Sequence, residues 1–369
     1  MSLITVSPGE ELYSSFGHNA LWISDPMQGI DRVYNYGTFD FRTEGFYLKF
    51  IRGTLPYQLS VSPMYYTLYG AQAENRWVFE QVLNLSQNQK QKLYDFLENN
   101  YLPSNRQYAY KFFYDNCATR LRDALKVACG DSLNYDTQTV SSDKKPKSYR
   151  EWMNKYLYGK PWAKFGMNLA IGLPSDHIAT TYEEMYLPDN LRYHLDKAKI
   201  GGENLVLTKN TLFTASGSTS DRKSLIEMIT GPDKLVLVLM ILLFQITNYQ
   251  KKRERITYRF DKLFFGILGF IGWFLLLLGV ATDHGVTNWN IHLFWAVPFH
   301  LPLILFLGNP KHRDWMRKYL LFCTGLSGLF ILTTIVGSIS LGTFIGQPME
   351  ISFLALGLCF RLVFLYKRV

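Results

Sequence analysis

The sequence predicts an α+β domain followed by an all-α transmembrane domain of five helices. Strand-like alternation and amphipathic helical stretches are interleaved in the first part, whereas long apolar runs dominate the second. Charge is also divided unevenly between the parts. Residues 1–228 carry 25 Lys and Arg against 24 Asp and Glu, and residues 229–369 carry 14 against 6. We therefore expect a domain over 1–213, a linker over 214–233 and a membrane domain over 234–369.

Five apolar runs in the second part are candidates for membrane spans. About 20 apolar residues are needed to cross the hydrocarbon core, so the second and fourth runs fit best and the first is short. Buried helices of a soluble protein are the alternative for the shorter runs. The runs are residues 235–249, 263–282, 291–307, 319–338 and 350–366.

The loops between these runs favour the membrane interpretation. Cations cluster after the first and third runs and at the C-terminus, whereas the loops 283–290 and 339–349 contain no Lys or Arg. The positive-inside rule then places the C-terminus in the cytoplasm and residues 1–228, five crossings away, on the opposite side. The same clustering between apolar runs argues against a nucleic-acid-binding surface. The first residues, MSLITVSPGEELYSSF, lack the features of a signal peptide, so we expect that a native signal peptide is absent from this chain.

Local signals define several elements of the exported part. The stretches HNALWIS and RVYNYGTF alternate around the turn-rich DPMQGI, which predicts an antiparallel hairpin. Ser86 and Gln89 have capping-box spacing at the start of one predicted helix. A second helix covers CATRLRDALKVAC and ends at Gly130, and a third is interrupted near Pro188.

Two cysteines lie in the exported part, Cys117 and Cys129. Twelve residues apart on one helix, they are separated by about 18 Å, too far for a disulfide. Cys129 fits a small apolar residue near a helix end. Cys117 follows Asp115 and Asn116, and either is a good N-cap, so Cys117 lies in the first turn, where free N–H groups favour a thiolate. Cys117 is therefore a candidate nucleophile that requires a base.

His18 opens the first strand of the predicted hairpin. A turn centred near residues 27 and 28 pairs His18 with Gly37 and Ala20 with Asn35, so His18 and Asn35 lie diagonally on one face. Asn35 would then accept one ring N–H and leave the other ring nitrogen for a thiol. A structural histidine is the alternative, and Asp40 is the competing orienting residue.

Three phrases together carry a family resemblance: SPGEELYSSFGHNALWI, YNYGTFDF and YDNCATRLRDAL, followed by several spans. They resemble the Lnb-type lipoprotein N-acyltransferases of Bacteroidota, and the order of His before Cys resembles the circularly permuted branch of the papain-like fold. The resemblance implies a periplasmic permuted papain-like thiol domain attached to five helices in the inner membrane. It further implies that Cys117 takes an acyl chain from a phospholipid as a thioester. The acceptor would be the N-terminal amine of a diacylglyceryl-cysteine lipoprotein, with His18 as base and Asn35 as the third catalytic residue.

Other polar and aromatic residues are weaker candidates. Tyr36, Asn116 and Arg120 are candidates for substrate binding, and Arg120 would either hold a phosphate or solvate its helix. The phrases SPMYYTLY and YAYKFFY would either line the site or fill a sheet core. His300, in the third apolar run, is either functional or a packing residue. We expect no cofactor and no metal, because the spacing of metal ligands is absent. Weaker candidates still are His177, His194, Asp283, His284 and His292.

Two other classes of function are left open by the sequence. One is a cell-envelope cysteine amidase or peptidase, or a phospholipase, that uses the same Cys and His. The other is a membrane scaffold without catalysis. A site that opens towards the bilayer would favour acyl transfer, and an open groove facing water would favour a peptidase.

Overall fold

A computed structural model of the chain describes residues 1–135, 146–216, 230–253, 256–340 and 348–368, without the side chains of 337–340. Contacts divide the chain into two compact units. The first unit comprises residues 1–156 and 178–221, and the second comprises residues 157–177 and 222–369. The first unit is rich in strands and the second is helical, so the predicted order of an α+β part and an all-α part is confirmed.

The first unit is built on a seven-stranded sheet in which every neighbouring pair is antiparallel. The strand order is β10-β5-β1-β2-β3-β4-β6, and these strands are β1 (Ser2–Val6), β2 (His18–Asp25), β3 (Ile30–Thr38), β4 (Pro56–Ser62), β5 (Val78–Leu83), β6 (Gln107–Ala109) and β10 (Val206–Phe213). A small second sheet contains β7 (Leu133–Asn134), β8 (Lys199–Ile200) and β9 (Glu203–Asn204).

The predicted hairpin is formed by β2 and β3. Leu21 pairs with Tyr34 and Asp25 pairs with Ile30, which is the register expected from a turn at residues 27 and 28. Alternation along the strands sends Leu21 and Tyr34 to one face of the sheet and Ala20 and Val33 to the other, where they join two different cores. The hairpin therefore fixes which side chains share a face with His18.

Helices cover both faces of the sheet. The larger core packs against α3 (Gln87–Tyr101), α4 (Cys117–Cys129) and α8 (Pro188–Lys197), and the smaller core packs against α2 (Met64–Ala73). Both halves of the predicted capping box on α3 are present, between Ser86 and Gln89. Leu121, Ala124, Leu125 and Ala128 of α4 are buried, and Gly130 ends the helix with φ 58°, as predicted. The other helices of this unit are α1 (Phe46–Ile51), α5 (Tyr149–Tyr156) and α7 (Thr181–Glu184).

The second unit contains α6 (Pro161–Ala170), α9 (Pro232–Arg253), α10 (Arg259–Ala281), α11 (His300–Phe306), α12 (Arg313–Ser340) and α13 (Met349–Arg368). Within the described residues, four helical segments are long and apolar enough to cross a membrane: Pro232–Arg253, Arg259–Ala281, Pro310–Val336 and Met349–Arg368. They correspond to the first, second, fourth and fifth predicted spans.

The third predicted span, 291–307, is not one continuous helix. It consists of a 3-10 turn at Ile291–Phe294 and the seven-residue α11. Pro298 precedes α11, and Pro302 occupies its first turn, where the missing N–H costs no helical hydrogen bond. Hydropathy alone predicts the length of this apolar run but not the break that its prolines impose.

The broken segment nevertheless runs antiparallel to α10 along the length of that helix. Gly279 lies close to the backbone of Thr287 and Asn288. Further along α10, Gly272 lies close to the backbone of Ala296, and Gly269 lies close to the backbone of Leu301. A Cβ at Gly272 or Gly269 would collide with this backbone, so glycine is what permits the contact. Irregular backbone at membrane depth is tolerated where protein covers it, and α10 provides such cover.

A buried ion pair joins three helices of the second unit. Arg361 on α13 donates two hydrogen bonds of 2.7 Å to Asp261 on α10, and both side chains are fully buried. Two further donors of Arg361 reach Thr247 Oγ1 and Gln250 Oε1 on α9. Each charged group is thus paired inside the unit, as burial among apolar helices requires.

Residues 157–177, which the sequence places in the exported domain, group with the second unit. Hydrogen bonds to the segment after α10 explain this grouping. The Gly172 N–H donates to Val286 O, and Asn290 Nδ2 donates to Leu169 O at 2.8 Å. The predicted linker, 214–233, falls mostly on residues 217–229, which lie outside the described part of the chain.

Candidate active site

Asn116 fixes the start of α4. Its Oδ1 accepts hydrogen bonds from the backbone N–H groups of Ala118 at 2.9 Å and Thr119 at 3.0 Å. Its Nδ2 donates to the carbonyl oxygens of Phe112 and Tyr186. Of the two predicted caps, Asn116 is the one observed, and Cys117 becomes the first residue of the helix.

Asn35 holds the ring of His18. His18 Nε2 lies 2.6 Å from Asn35 Oδ1, a carbonyl oxygen that can only accept, so Nε2 carries the proton. The hairpin places both residues on one face, as its register predicts. With Nε2 occupied in this way, Nδ1 is the nitrogen left to face another group.

Cys117 meets His18 at the start of α4. The two side chains are hydrogen-bonded, and the backbone N–H groups of Asn19 and Ala118 also face the Cys117 sulfur. Cys117 is buried and His18 is half-buried. The structure therefore brings Cys117, His18 and Asn35 into one continuous hydrogen-bonded chain.

This environment favours a thiolate and an imidazolium. Burial raises the pKa of Cys117, but the charge of His18, its hydrogen bond and the two backbone N–H groups outweigh burial and lower that pKa. Burial lowers the pKa of His18, but the Cys117 charge and the hydrogen bonds to Cys117 and Asn35 outweigh it and raise that pKa. An activated nucleophile next to a proton donor is the arrangement that acyl transfer through a thiol requires.

Aromatic rings and one glycine line the approach to Cys117. A Cβ built at Gly37, whose φ is +90°, would lie 3.9 Å from Cys117 Cβ and 3.5 Å from the Tyr110 ring. Tyr110 stacks on Tyr57 with ring centroids 4.5 Å apart, and Tyr108 lies beside it at 6.5 Å. Of the two aromatic stretches in the sequence, YAYKFFY thus contributes Tyr108 and Tyr110 to the rings near Cys117.

The three predicted binding residues are engaged with the protein. Asn116 uses both ends of its amide for the cap and the neighbouring loop. Arg120 makes a two-pronged ion pair with Asp115 and stacks on Tyr108, 3.8 Å from the ring centroid. Tyr36 is 1% exposed and belongs to the larger core. Asn116 and Arg120 thus direct their polar groups to neighbouring residues, and the Tyr36 ring lies in the core.

The competing polar residues lie elsewhere. Asp40 pairs with Arg42 at the surface instead of orienting His18. His194 bonds to Glu184, and His177 belongs to the second unit. His300 bonds to Trp295 O and Tyr319 Oη, which is a packing arrangement. Within the described residues, no group of three or more His, Cys, Asp or Glu side chains is placed to hold a metal ion.

Sequence reasoning missed the backbone N–H of Asn19 and the closeness of Gly37 to Cys117. The Asn19 N–H follows directly after His18, so the histidine strand supplies both a side chain and a backbone donor. Gly37 stands two residues after Asn35, at an irregularity in the pairing of β3 with β4. A glycine just beyond the hairpin pair was the available signal, since glycine in a strand marks a close approach or a bulge.

Comparison with known families identifies both parts of the chain. Residues 1–155 match the Lnb N-terminal periplasmic domain, and residues 223–368 match the Lnb transmembrane domain. Neither a curated protein nor a solved structure matched the chain. With a periplasmic domain at one end and transmembrane helices at the other, this chain belongs to the Lnb family.

Proposed function

We propose that this protein transfers an acyl chain from a membrane phospholipid to the N-terminal amine of a diacylglyceryl-cysteine lipoprotein. Cys117 is the nucleophile, His18 is the acid and base, and Asn35 orients His18. The observation that carries the proposal is the hydrogen-bonded chain of these three residues at the start of α4. The family match supports it, as does the order of His before Cys, which resembles that of the permuted papain-like fold.

The first half-reaction forms a thioester. The Cys117 thiolate attacks the ester carbonyl of the phospholipid, and negative charge moves from sulfur to the carbonyl oxygen. The dipole of α4, whose positive end lies at its first turn, favours that charge. As the C–O bond breaks, His18 donates its proton to the departing lysophospholipid oxygen and becomes neutral. Cys117 then carries the acyl group.

The second half-reaction transfers the acyl group. Neutral His18 accepts a proton from the incoming amine as nitrogen attacks the thioester carbonyl. The C–S bond breaks, an amide forms, and the sulfur leaves as a thiolate beside the protonated His18. The resting pair is restored, and one ester has been exchanged for one amide. The hydrogen bond that His18 Nε2 donates to Asn35 Oδ1 keeps the ring oriented through both steps.

The membrane unit suits substrates that never leave the bilayer. With α9, α10, the broken segment, α12 and α13 as five crossings, the basic loops lie in the cytoplasm and the thiol domain in the periplasm. Donor and acceptor both carry acyl chains in the membrane, so an anchored enzyme meets both in two dimensions. A secreted peptidase would gain nothing from this anchor.

The test is acylation of a defined acceptor by the full-length protein in phospholipid nanodiscs. A diacylated lipopeptide with a free N-terminal amine should become triacylated, whereas its N-acetylated counterpart should not react because its nitrogen cannot attack. Mass spectrometry of the lipopeptide measures both. Release of free fatty acid without acylation would assign a phospholipase, and cleavage of the peptide would assign the alternative peptidase.

A further inference from the structure

The segment between β3 and β4 exposes an unusual number of apolar side chains. It contains α1, of which no residue is buried. Tyr47 is 79% exposed and Leu48 63%, and Phe41, Phe50 and Ile51 are each at least half exposed. Contiguous apolar surface of this kind marks an interaction site, because water solvates it poorly.

An unbroken series of rings connects this surface with the candidate nucleophile. We call it the aromatic strip: Tyr110, Tyr57, Phe39, Phe46 and Phe50. Successive ring centroids are 4.5, 5.3, 5.9 and 6.3 Å apart, which is ring contact throughout. Tyr110 lies against Gly37 next to Cys117, and Phe50 is exposed at the far end. The strip is continuous with the site already described.

The charges around α1 fit a phospholipid surface. Lys49 lies within the helix and Arg52 follows it, and α1 contains no acidic residue. Aromatic side chains bordered by cations are the pattern of helices that lie in the headgroup region of a bilayer. The second exposed aromatic group of this unit, on α2, differs in this respect, because no Lys or Arg lies within Met64–Ala73.

We propose that α1 inserts into the outer surface of the bilayer and that the aromatic strip guides the acyl chain of the phospholipid donor to Cys117. This proposal deepens the proposed function and rests on it for the identity of the donor. Insertion itself requires no chemistry, so it can be tested separately. A donor ester could thus reach the thiol while its chain stays on an apolar path.

Photocrosslinking tests the insertion directly. The full-length protein carrying Tyr47→p-benzoylphenylalanine would be placed in nanodiscs of phosphatidylethanolamine and phosphatidylglycerol and illuminated. The matched control places the same group at Tyr65, an exposed tyrosine of α2. A Cys117→Ala background removes acylation, so a failure of acyl transfer cannot affect the result. A phospholipid adduct at position 47 and none at position 65 is expected. Equal adducts at both positions, or none at 47, would overturn the proposal.

A kinetic arm tests the guiding role in the otherwise unmodified protein. Tyr47→Ser combined with Phe50→Ser should lower the rate of thioester formation from bilayer phospholipid by roughly tenfold or more, because two interfacial rings are lost. Tyr65→Ser should match the wild type. An unchanged rate in the double variant would refute the guiding role, whereas a wild type that forms no thioester would refute the proposed function instead.

Discussion

Cys117 and Cys129 lie at opposite ends of the same helix and are almost equally buried, at 6% and 7% exposed. Burial raises the pKa of Cys129 to about 11 and outweighs the opposing effect of the Lys126 charge. Burial also raises the pKa of Cys117, but His18 and two backbone N–H groups reverse the effect and lower it. The Cys117 thiol therefore loses its proton more readily than the Cys129 thiol.

The difference shows that partners, and not burial, decide the state of each thiol. At its N-terminal end α4 directs the positive end of its dipole towards the sulfur and meets the strand that carries His18. At its C-terminal end the helix offers carbonyl oxygens, which disfavour negative charge. The same residue type thus becomes a nucleophile at one end and a core residue at the other.

Replacing each cysteine is the strongest test of this comparison. Cys117→Ala should abolish lipopeptide acylation, because no other described thiol has a histidine partner. Cys129→Ala should retain activity within about twofold of the wild type, at a stability cost of about 1 kcal/mol or less for a small buried group. Acylation rates in nanodiscs and a thermal melt measure both. Equal losses of activity would end the distinction between the two thiols.

Removing His18 should bring the pKa of Cys117 closer to that of Cys129. His18→Ala should lower acylation roughly a thousandfold, since general acid and base catalysis are both lost. It should also raise the pKa of Cys117, because burial is then opposed by the backbone N–H groups alone. The pH dependence of iodoacetamide alkylation at Cys117, in a Cys129→Ala background, measures this shift. An unchanged Cys117 pKa would attribute the thiolate to the helix start and not to His18.

Removing Asn35 should have an intermediate effect. One hydrogen bond to a charged group contributes about 1.5–3 kcal/mol, so Asn35→Ala should slow acylation roughly 10- to 100-fold. Asn35 stabilises the protonated ring and raises the pKa of His18. In the variant, the alkaline limb of the pH profile of activity should therefore shift to lower pH. Asp40→Ala is the matched control and should leave the pH profile in place. A larger loss of activity in Asp40→Ala than in Asn35→Ala would mean that Asp40, and not Asn35, orients His18.

Removing the cap of α4 should have the smallest effect on catalysis. Asn116→Ala should destabilise the protein by about 1–2 kcal/mol and raise the pKa of Cys117, because the first turn is no longer fixed. Ser86→Ala removes the equivalent cap from α3, which is remote from the site, and should cost a similar free energy without changing that pKa. Thermal melts and alkylation profiles compare the two. Identical alkylation profiles would limit Asn116 to a role in stability.

Local rules accounted for the parts of the site that are close in sequence. The turn fixed the register of β2 and β3 and hence the face shared by His18 and Asn35. Capping chemistry placed Cys117 at the start of α4. Both inferences depend on a few neighbouring residues, so one sequence suffices for them.

Long-range packing accounted for what was missed. Tyr110 directly follows β6 and lies near Cys117 because β6 pairs with β4. These two strands are far apart in the sequence, and no local pattern specifies their pairing. The break in the third apolar run lies next to Pro298 and is covered by α10, and the length of an apolar run reveals neither. Residues 157–177 group with the second unit through backbone hydrogen bonds, and amino-acid composition does not predict such bonds.

The most direct measurement is the intact mass of the protein after incubation with phospholipid in the absence of any acceptor. The first half-reaction needs only the donor, so the account predicts one added acyl chain on Cys117 that neutral hydroxylamine removes. The adduct should be absent from Cys117→Ala, present in Cys129→Ala, and discharged by a lipopeptide with a free amine. Acylation of lipopeptide by a protein that lacks Cys117 would contradict the account.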